Sequence, residues 1–277
     1  MKTAVKLLLF SGLMLVGALA QAGTSKVLYF TSARGSNTVT LDHLLLNGKP
    51  KLNPIITQVY LGTYNAHFVG LRYDTAIGKW QAYNEDGTIV PSGSAFNILV
   101  PGTSSRVFAT PANSFYDFTV TQTQAHNPDA LLHCSHLYNP VPSAPGDPLN
   151  NGVGLYRHGT YPGDWKINNK WSVYNEDESR PKAVGFSVAD VTKEKVNGVS
   201  NSFIFTVART SYLQTITNSL TDGQPNARLV VTHLYGQLHN HPVGVLYSLG
   251  QWSILNEDLA PMVVGDKFIV SVYPATP

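Results

Sequence analysis

The sequence predicts an all-β protein made of three tandem β-sandwich- or barrel-like repeats of about 75–90 residues each. Three observations predict it. First, the pattern W-x-x-[YL]-N-E-D occurs at Trp80 to Asp86, at Trp171 to Asp177 and at Trp252 to Asp258. Second, the apolar segments between these motifs are short, alternate apolar with polar residues and are separated by Gly, Pro, Asn and Asp. Third, no stretch carries the 3.6-residue apolar period of a long amphipathic helix. The tryptophans lie 91 and 81 residues apart. That spacing is too long for a trefoil repeat or a propeller blade, so the repeats are expected to pack in a row or as a pseudo-trimer.

Each element follows from the same comparison. A repeat opens on an apolar segment: Val27-Leu28-Tyr29-Phe30, Arg106-Val107-Phe108-Ala109 or Phe203-Ile204-Phe205. A Thr/Val stretch follows (Thr38-Val39-Thr40, Thr119-Val120-Thr121, Thr215-Ile216-Thr217), then a turn rich in Asn, Pro and Gly. The middle strand comes next, in Ile55 to Tyr60, Leu131 to Tyr138 and Leu229 to Tyr235. A Val-Gly strand precedes the tryptophan strand, and a closing strand ends the unit at Phe96 to Val100, Phe186 to Ala189 and Phe268 to Val272. The domain boundaries read 23–102, 103–192 and 193–277. Repeat 2 carries the longest insertions, which predict surface loops. The stretch from Val191 to Asn201 reads as a linker or a hairpin.

Residues 1–22 read as a secretory signal. Lys2 and Lys6 precede an apolar run, and Ala20-Gln21-Ala22 offers a small-x-small cleavage site. The expected location is therefore secreted, periplasmic or extracellular. The apolar run is shorter than the roughly 20 residues a membrane span needs, and no later segment reaches that length. Without Lys2 and Lys6 the chain has 17 basic and 17 acidic residues. A net charge of zero argues against nucleic acid or anionic membranes as partners. Cys134 is the only cysteine, which excludes an intrachain disulfide. It reads as a buried small hydrophobe rather than a nucleophile.

The best-formed repeat is the third. Its Thr232-His233-Leu234-Tyr235, His241-Pro242-Val243-Gly244-Val245-Leu246-Tyr247, Trp252 to Asp258, and Met262 to Phe268 resemble an uncharacterised, often tandem, domain of secreted bacterial proteins. That family reads roughly T-H-x-[WY], H-P-[IV]-G-V-x-Y, W-x-I-x-N-E-D and M-x-x-G-x-x-F-N-V. Repeat 1 departs from it at Gln58, where the histidine is expected. Repeat 2 lacks the His-Pro before its Val-Gly. The resemblance implies a secreted β-domain and no particular chemistry.

Candidate ligand-binding residues follow from the repeated polar positions. The triplets Asn84-Glu85-Asp86, Asn175-Glu176-Asp177 and Asn256-Glu257-Asp258 offer hard oxygen ligands for calcium, or amide and carboxylate partners for the hydroxyls of a sugar. The same residues also close tight turns with their own side chains, and a strand points adjacent residues to opposite faces. Both readings stay open. The motif tryptophans read as core anchors, and the residue three places on as facing the other side of the strand. Trp165, in an insertion, is the candidate exposed tryptophan. His233 and His241 are the one pair of repeated histidine positions that a single repeat keeps intact, and such a pair suits zinc. His133, Cys134 and His136 resemble a metal cluster in composition, but His133 and Cys134 face opposite ways on a strand.

No nucleophile elbow, zinc-protease, phosphate-loop or dinucleotide signature is present. The expected function is therefore a non-enzymatic, multivalent binding or adhesion protein for glycans or cell-surface ligands, with no cofactor beyond calcium. Zero net charge and many strand edges support a second reading, a self-associating matrix component. A third is a polysaccharide hydrolase using Glu85, Glu176 or Glu257.

Overall fold

In the computed structural model the described residues are 25–102, 106–109, 117–119, 127–139, 146–159, 169–180 and 184–275. The expected signal segment and Trp165 lie outside them. Among the described residues the protein is all-β with no helix.

Each repeat supplies six strands in the same order. Repeat 1 has β1 (Lys26–Thr31), β2 (Val39–Leu41), β3 (Ile55–Val59), β4 (Val69–Asp74), β5 (Lys79–Asn84) and β6 (Ala95–Val100). Repeat 2 has β7 (Arg106–Ala109), β8 (Asp117–Thr119), β9 (Leu132–Leu137), β10 (Val153–Arg157), β11 (Trp171–Asn175) and β12 (Gly185–Asp190). The hairpin β13 (Lys195–Val196) and β14 (Val199–Ser200) then bridges to repeat 3. Repeat 3 has β15 (Ser202–Thr206), β16 (Leu213–Thr215), β17 (Arg228–Leu234), β18 (Val243–Ser248), β19 (Gln251–Asn256) and β20 (Lys267–Tyr273).

The sheets do not follow the repeat boundaries. Three six-stranded sheets run β2-β5-β4-β9-β12-β7, β8-β11-β10-β17-β20-β15 and β16-β19-β18-β3-β6-β1. Each is half one repeat and half the next. The halves meet at short parallel pairings, β4 with β9, β10 with β17 and β18 with β3, while the other strand pairs are antiparallel. The third seam joins repeat 3 back to repeat 1, so the arrangement closes as a pseudo-trimer. A tandem array in a row would leave that seam open, with unpaired strand edges at both ends.

Each repeat is a two-layer sandwich of its own two half-sheets. In repeat 1, Leu28, Ile56, Phe96 and Ile98 pack against Leu41, Leu71, Trp80 and Ala82. Repeat 2 packs Cys134, Phe186 and Val188 against Leu155, Trp171 and Val173. Repeat 3 packs Val231, Phe268 and Val270 against Val245, Trp252 and Ile254. The three motif tryptophans are 3–4% exposed. Each indole N–H donates to a carbonyl of the turn before the middle strand: Trp80 to Lys49, Trp171 to Asn127 and Trp252 to Gln224, at 2.8–3.0 Å. A buried indole needs such a partner, which is why the turn keeps its place in all three copies.

The middle strands β3, β9 and β17 gather where the repeats meet, and hydroxyls lock them there. Ile56 N–H donates to Ser135 Oγ (3.0 Å), Cys134 N–H to Thr232 Oγ1 (3.3 Å) and Val231 N–H to Thr57 Oγ1 (3.1 Å). These three bonds form a cycle through all three repeats. Two positions before each hydroxyl stand Ile55, His133 and Val230, and an apolar cluster of Val27, Ile55, Leu99, Ala189, Val191, Val230 and Tyr273 seals that end. His133 is fully buried, with Thr232 Oγ1 and Ser271 Oγ at 2.9 and 2.7 Å from its ring nitrogens. Burial lowers its pKa to about 3, so it is neutral. Burial, with the charge of Glu176, raises the Cys134 thiol well above its ordinary pKa, as suits an inert core side chain.

Candidate functional site at the repeat seams

The Asn-Glu-Asp triplet sends its three side chains to three places. The asparagine closes its own turn. Asn84 Nδ2 donates to Ile89 O, Asn175 Nδ2 to Ser179 O and Asn256 Nδ2 to Ala260 O, at 2.8–3.2 Å. The aspartate accepts the backbone N–H two residues on, from Thr88, Ser179 or Ala260. Its other contact is with its own repeat: His67 Nδ1 to Asp86 (2.7 Å), Asn151 Nδ2 to Asp177 (2.6 Å) and His241 Nδ1 to Asp258 (2.7 Å). These pairs are about one-quarter to one-third exposed in repeats 1 and 3. The turn also needs a left-handed residue after the aspartate. Gly87 supplies it at φ 76°, whereas Glu178 (58°) and Leu259 (64°) adopt it against their side-chain preference.

The glutamate does something else. It is 1–2% exposed in all three repeats and crosses the seam. Glu85 lies over Gly70 of β4 and accepts the Nδ1–H of His136 on β9, the Leu149 N–H (2.8 Å) and the Tyr83 hydroxyl (2.9–3.0 Å). Glu176 repeats this one seam further on. It accepts from His233 Nδ1 (2.6 Å), His239 N–H (2.9 Å) and Tyr174 hydroxyl (2.8 Å). Each carboxylate therefore ties the tryptophan strand of one repeat to the middle strand and loop of the next. The Val-Gly glycine makes this crossing possible. A Cβ at Gly70, Gly154 or Gly244 would lie 1.8–2.2 Å from the glutamate Oε1. Burial first, and the neighbouring carboxylate second, raise the pKa values of Tyr83 and Tyr174 far above the ordinary range, so both stay hydroxyl donors.

The third seam keeps the glutamate and loses its partners. Leu255 replaces the tyrosine and Gln58 the histidine. Glu257 accepts only a longer bond from Asn65 N–H (3.2 Å) among the three equivalents of the other seams. Gln58 instead binds within its own repeat, accepting from Asn65 Nδ2 (2.7 Å) and donating to His67 O (3.0 Å). Burial without an adjacent cation pushes Glu257 up to about 7, opposed only by the Asn65 N–H.

A cavity of about 100 Å³ opens among the three repeats. Gln58, His136 and His233 line it at equivalent positions, as do Val69, Val153 and Val243, with Glu85 and Glu176 in its wall. The ring Nε2 atoms of His136 and His233 are buried and lack hydrogen-bond partners.

The sequence-predicted residues are thus distributed over three settings. The asparagines and aspartates sit in turns, the glutamates and His233 meet inside the seams, and His241 pairs with Asp258 at the rim. His233 and His241 both line the cavity, with His239 between them: its ring centroid is 5.0 Å from that of His233 and 5.4 Å from that of His241. Sequence reasoning missed His239, Asp266 and the three glycines. The His-x-His spacing of His239 and His241 was the available signal for the first.

Among protein families, a model described as Domain of unknown function (DUF7452) matches residues 70–170 and again 164–272. No curated protein matches, and neither does any solved structure. The first match contains Glu85, His136 and Leu149; the second contains Glu176, His233 and His239. A family unit so matched encloses one complete Glu–His seam. The two matches cover well over half of the 277 residues, and the chain belongs to the family described as Domain of unknown function (DUF7452), of which it carries tandem copies.

Proposed function

We propose that the protein is a secreted, non-enzymatic, multivalent binding protein whose ligands are extracellular glycans. The observation that carries this reading is an equivalent tyrosine at each seam. Tyr60, Tyr138 and Tyr235 end the middle strands, and each donates its N–H across the seam, to Val245 O, Leu71 O and Leu155 O, at 2.8–2.9 Å. Each heads a small aromatic or polar patch. Tyr60 stacks against Tyr64 at 4.4 Å. Tyr138 meets Tyr83 edge-on at 5.7 Å, near Arg72, whose Nε donates to Gln81. Tyr235 meets Tyr156 at 5.0 Å and Tyr174 at 5.4 Å. Tyr64 and Tyr235 are 37% and 43% exposed. Rings with an apolar face and a polar tip suit sugars, which present C–H faces and hydroxyls together. Three such patches on a closed scaffold favour avidity from weak individual sites. The secretion part of the reading rests on the leader-like first 22 residues.

The test is a glycan array probed with the mature chain and with a Tyr60→Ala/Tyr138→Ala/Tyr235→Ala variant. Glycan binding lost in the variant, with its melt still cooperative, supports the reading. Equal binding by both proteins, or binding by neither, removes it.

A further inference from the structure

We propose that repeat 3 holds one divalent transition-metal ion, of zinc-like chemistry, between His233, His239 and Asp266. Ligand atoms of these three buried side chains lie within 4.8 Å of one another, the one such His/Cys/Asp/Glu group among the described residues.

The hydrogen bonds fix where the lone pairs point. His233 Nδ1–H donates to Glu176, which leaves Nε2 as a bare lone pair, buried and without a partner. Asn256 Nδ2 donates to Ala260 O, so its Oδ1 is the acceptor facing His239 Nε2 at 2.9 Å. His239 therefore donates from Nε2, and its Nδ1 faces Asp266 Oδ2, 3.2 Å away, which also accepts the Val263 N–H at 2.9 Å. Asp266 Oδ1 is itself buried and unpartnered. Two imidazoles and a carboxylate come together here, and His233 Nε2 and Asp266 Oδ1 are left without a hydrogen-bond partner. A cation satisfies all three at once.

Repeat 1 is the internal comparison. Gln58 stands at the place of His233, since both pair in register with the closing-strand phenylalanine. Asn65 stands at the place of His239: each donates its N–H to the preceding glutamate and faces the turn asparagine. Ser94 stands at the place of Asp266, each accepting the N–H that opens the repeat's closing bridge, from Ser32 and Val207. In repeat 1 the donor Asn65 Nδ2 meets the acceptor Gln58 Oε1 directly at 2.7 Å, and no ion is called for. Repeat 2 has Leu149 and Val184 at the last two places and lacks ligands there.

The donor set fits the chemistry. Two imidazoles and one carboxylate suit zinc and its neighbours and disfavour calcium, which takes six or more oxygens. Zinc bonds of about 2.0–2.2 Å would draw these ligand atoms, now within 4.8 Å of one another, closer together. Glu176 is the outer carboxylate that orients a metal-bound imidazole, and Asn256 does the same for His239. His233 and His239 both line the 100 Å³ cavity, so the remaining coordination position opens onto water-sized space. Because Glu176 belongs to repeat 2, the ion would also clamp the second seam.

The test strips the mature chain with a chelator and titrates Zn²⁺ by calorimetry, with Co²⁺ absorption as a second reading. One Zn²⁺ per chain and the visible bands of four-coordinate Co²⁺ are expected. His239→Asn and Asp266→Ser install the residues that repeat 1 carries at the same places, and each is expected to weaken binding by at least about 100-fold; Glu176→Gln, one shell out, by about 10–100-fold. His67→Asn, a surface control, is expected to leave binding unchanged. Melts of the metal-free variants establish that they fold. Failure to take up a stoichiometric ion overturns the proposal, as does uptake that survives both ligand variants. Neither outcome bears on glycan binding, which rests on other residues.

Discussion

The first two seams and the third are built from the same strands with the same register, yet they differ in one respect. At seams 1–2 and 2–3 a buried glutamate meets a histidine, a tyrosine hydroxyl and a backbone N–H. At seam 3–1 the glutamate remains, 2% exposed, and the histidine and tyrosine have become Gln58 and Leu255. The glutamate at the third seam thus outlives the interaction that explains it at the other two. The difference shows that strand pairing and the hydroxyl cycle are present at every seam, whereas the Glu–His contact is absent from one. It also coincides with the family matches, each of which contains a whole Glu–His seam, while Gln58 and Asn65 fall outside both.

The largest expected effect sharpens the comparison by testing what all three repeats share. Trp80→Ala, Trp171→Ala and Trp252→Ala each remove a side chain that is 3–4% exposed. Each is expected to cost about 3–5 kcal/mol in thermal or denaturant melts. A variant that melts like wild type would show that its repeat does not depend on the indole anchor.

The comparison breaks most directly when seam 1–2 is converted into seam 3–1. His136→Gln leaves the buried Glu85 carboxylate without the imidazole N–H that it accepts, and about 3–4 kcal/mol of stability should be lost at pH 8. The loss should shrink at pH 5, where the stranded carboxyl takes up a proton. A pH-independent loss would mean that the histidine acts only by packing.

The reverse change probes Glu257. Its folded pKa, about 7, lies above the ordinary value of 4.5. Between these values the folded chain holds a proton that the unfolded chain has released, so this group's contribution falls as pH rises from about 4.5 to 7 and then stays low. The shift corresponds to about 3 kcal/mol. Glu257→Gln, neutral throughout, should gain stability over wild type across that window and match it near pH 4. Parallel pH–stability curves for the two proteins would remove the buried-carboxyl account.

The smallest effect belongs to the rim. Asp86→Asn loosens a pair with His67 that is about one-third exposed, and surface pairs contribute less than about 1 kcal/mol. The stability change should stay below that bound. A larger loss would place Asp86 among the structural members of the seam.

Much of the fold was legible in the chain. Periodicity located the strands and the buried face of the tryptophans, because alternation on a strand is a local property; of the two readings of the stretch after Val191, linker or hairpin, the structure has the hairpin. The opposite facing of Trp80 and Tyr83 followed from the same rule and holds: Trp80 lies in the sandwich core and Tyr83 at the seam. The turn reading of the asparagines and aspartates is also local, and their side chains do bond within four or five residues. The glutamate was not legible, because its partner lies 51 residues away at seam 1–2 and 57 at seam 2–3. His239 and Asp266 were missed for the same reason.

By itself the sequence determined the repeat, its length, its six-strand order and its tryptophan core, since each depends on residues within one unit of chain. Only the tertiary structure decided that the repeats close into a ring, which side chains meet at each seam, and that, among the described residues, one repeat collects two imidazoles and a carboxylate. Those outcomes depend on parallel pairings between units, such as Gly154 with His233 and Gly244 with Gln58, and no local pattern encodes which strand a seam edge will meet.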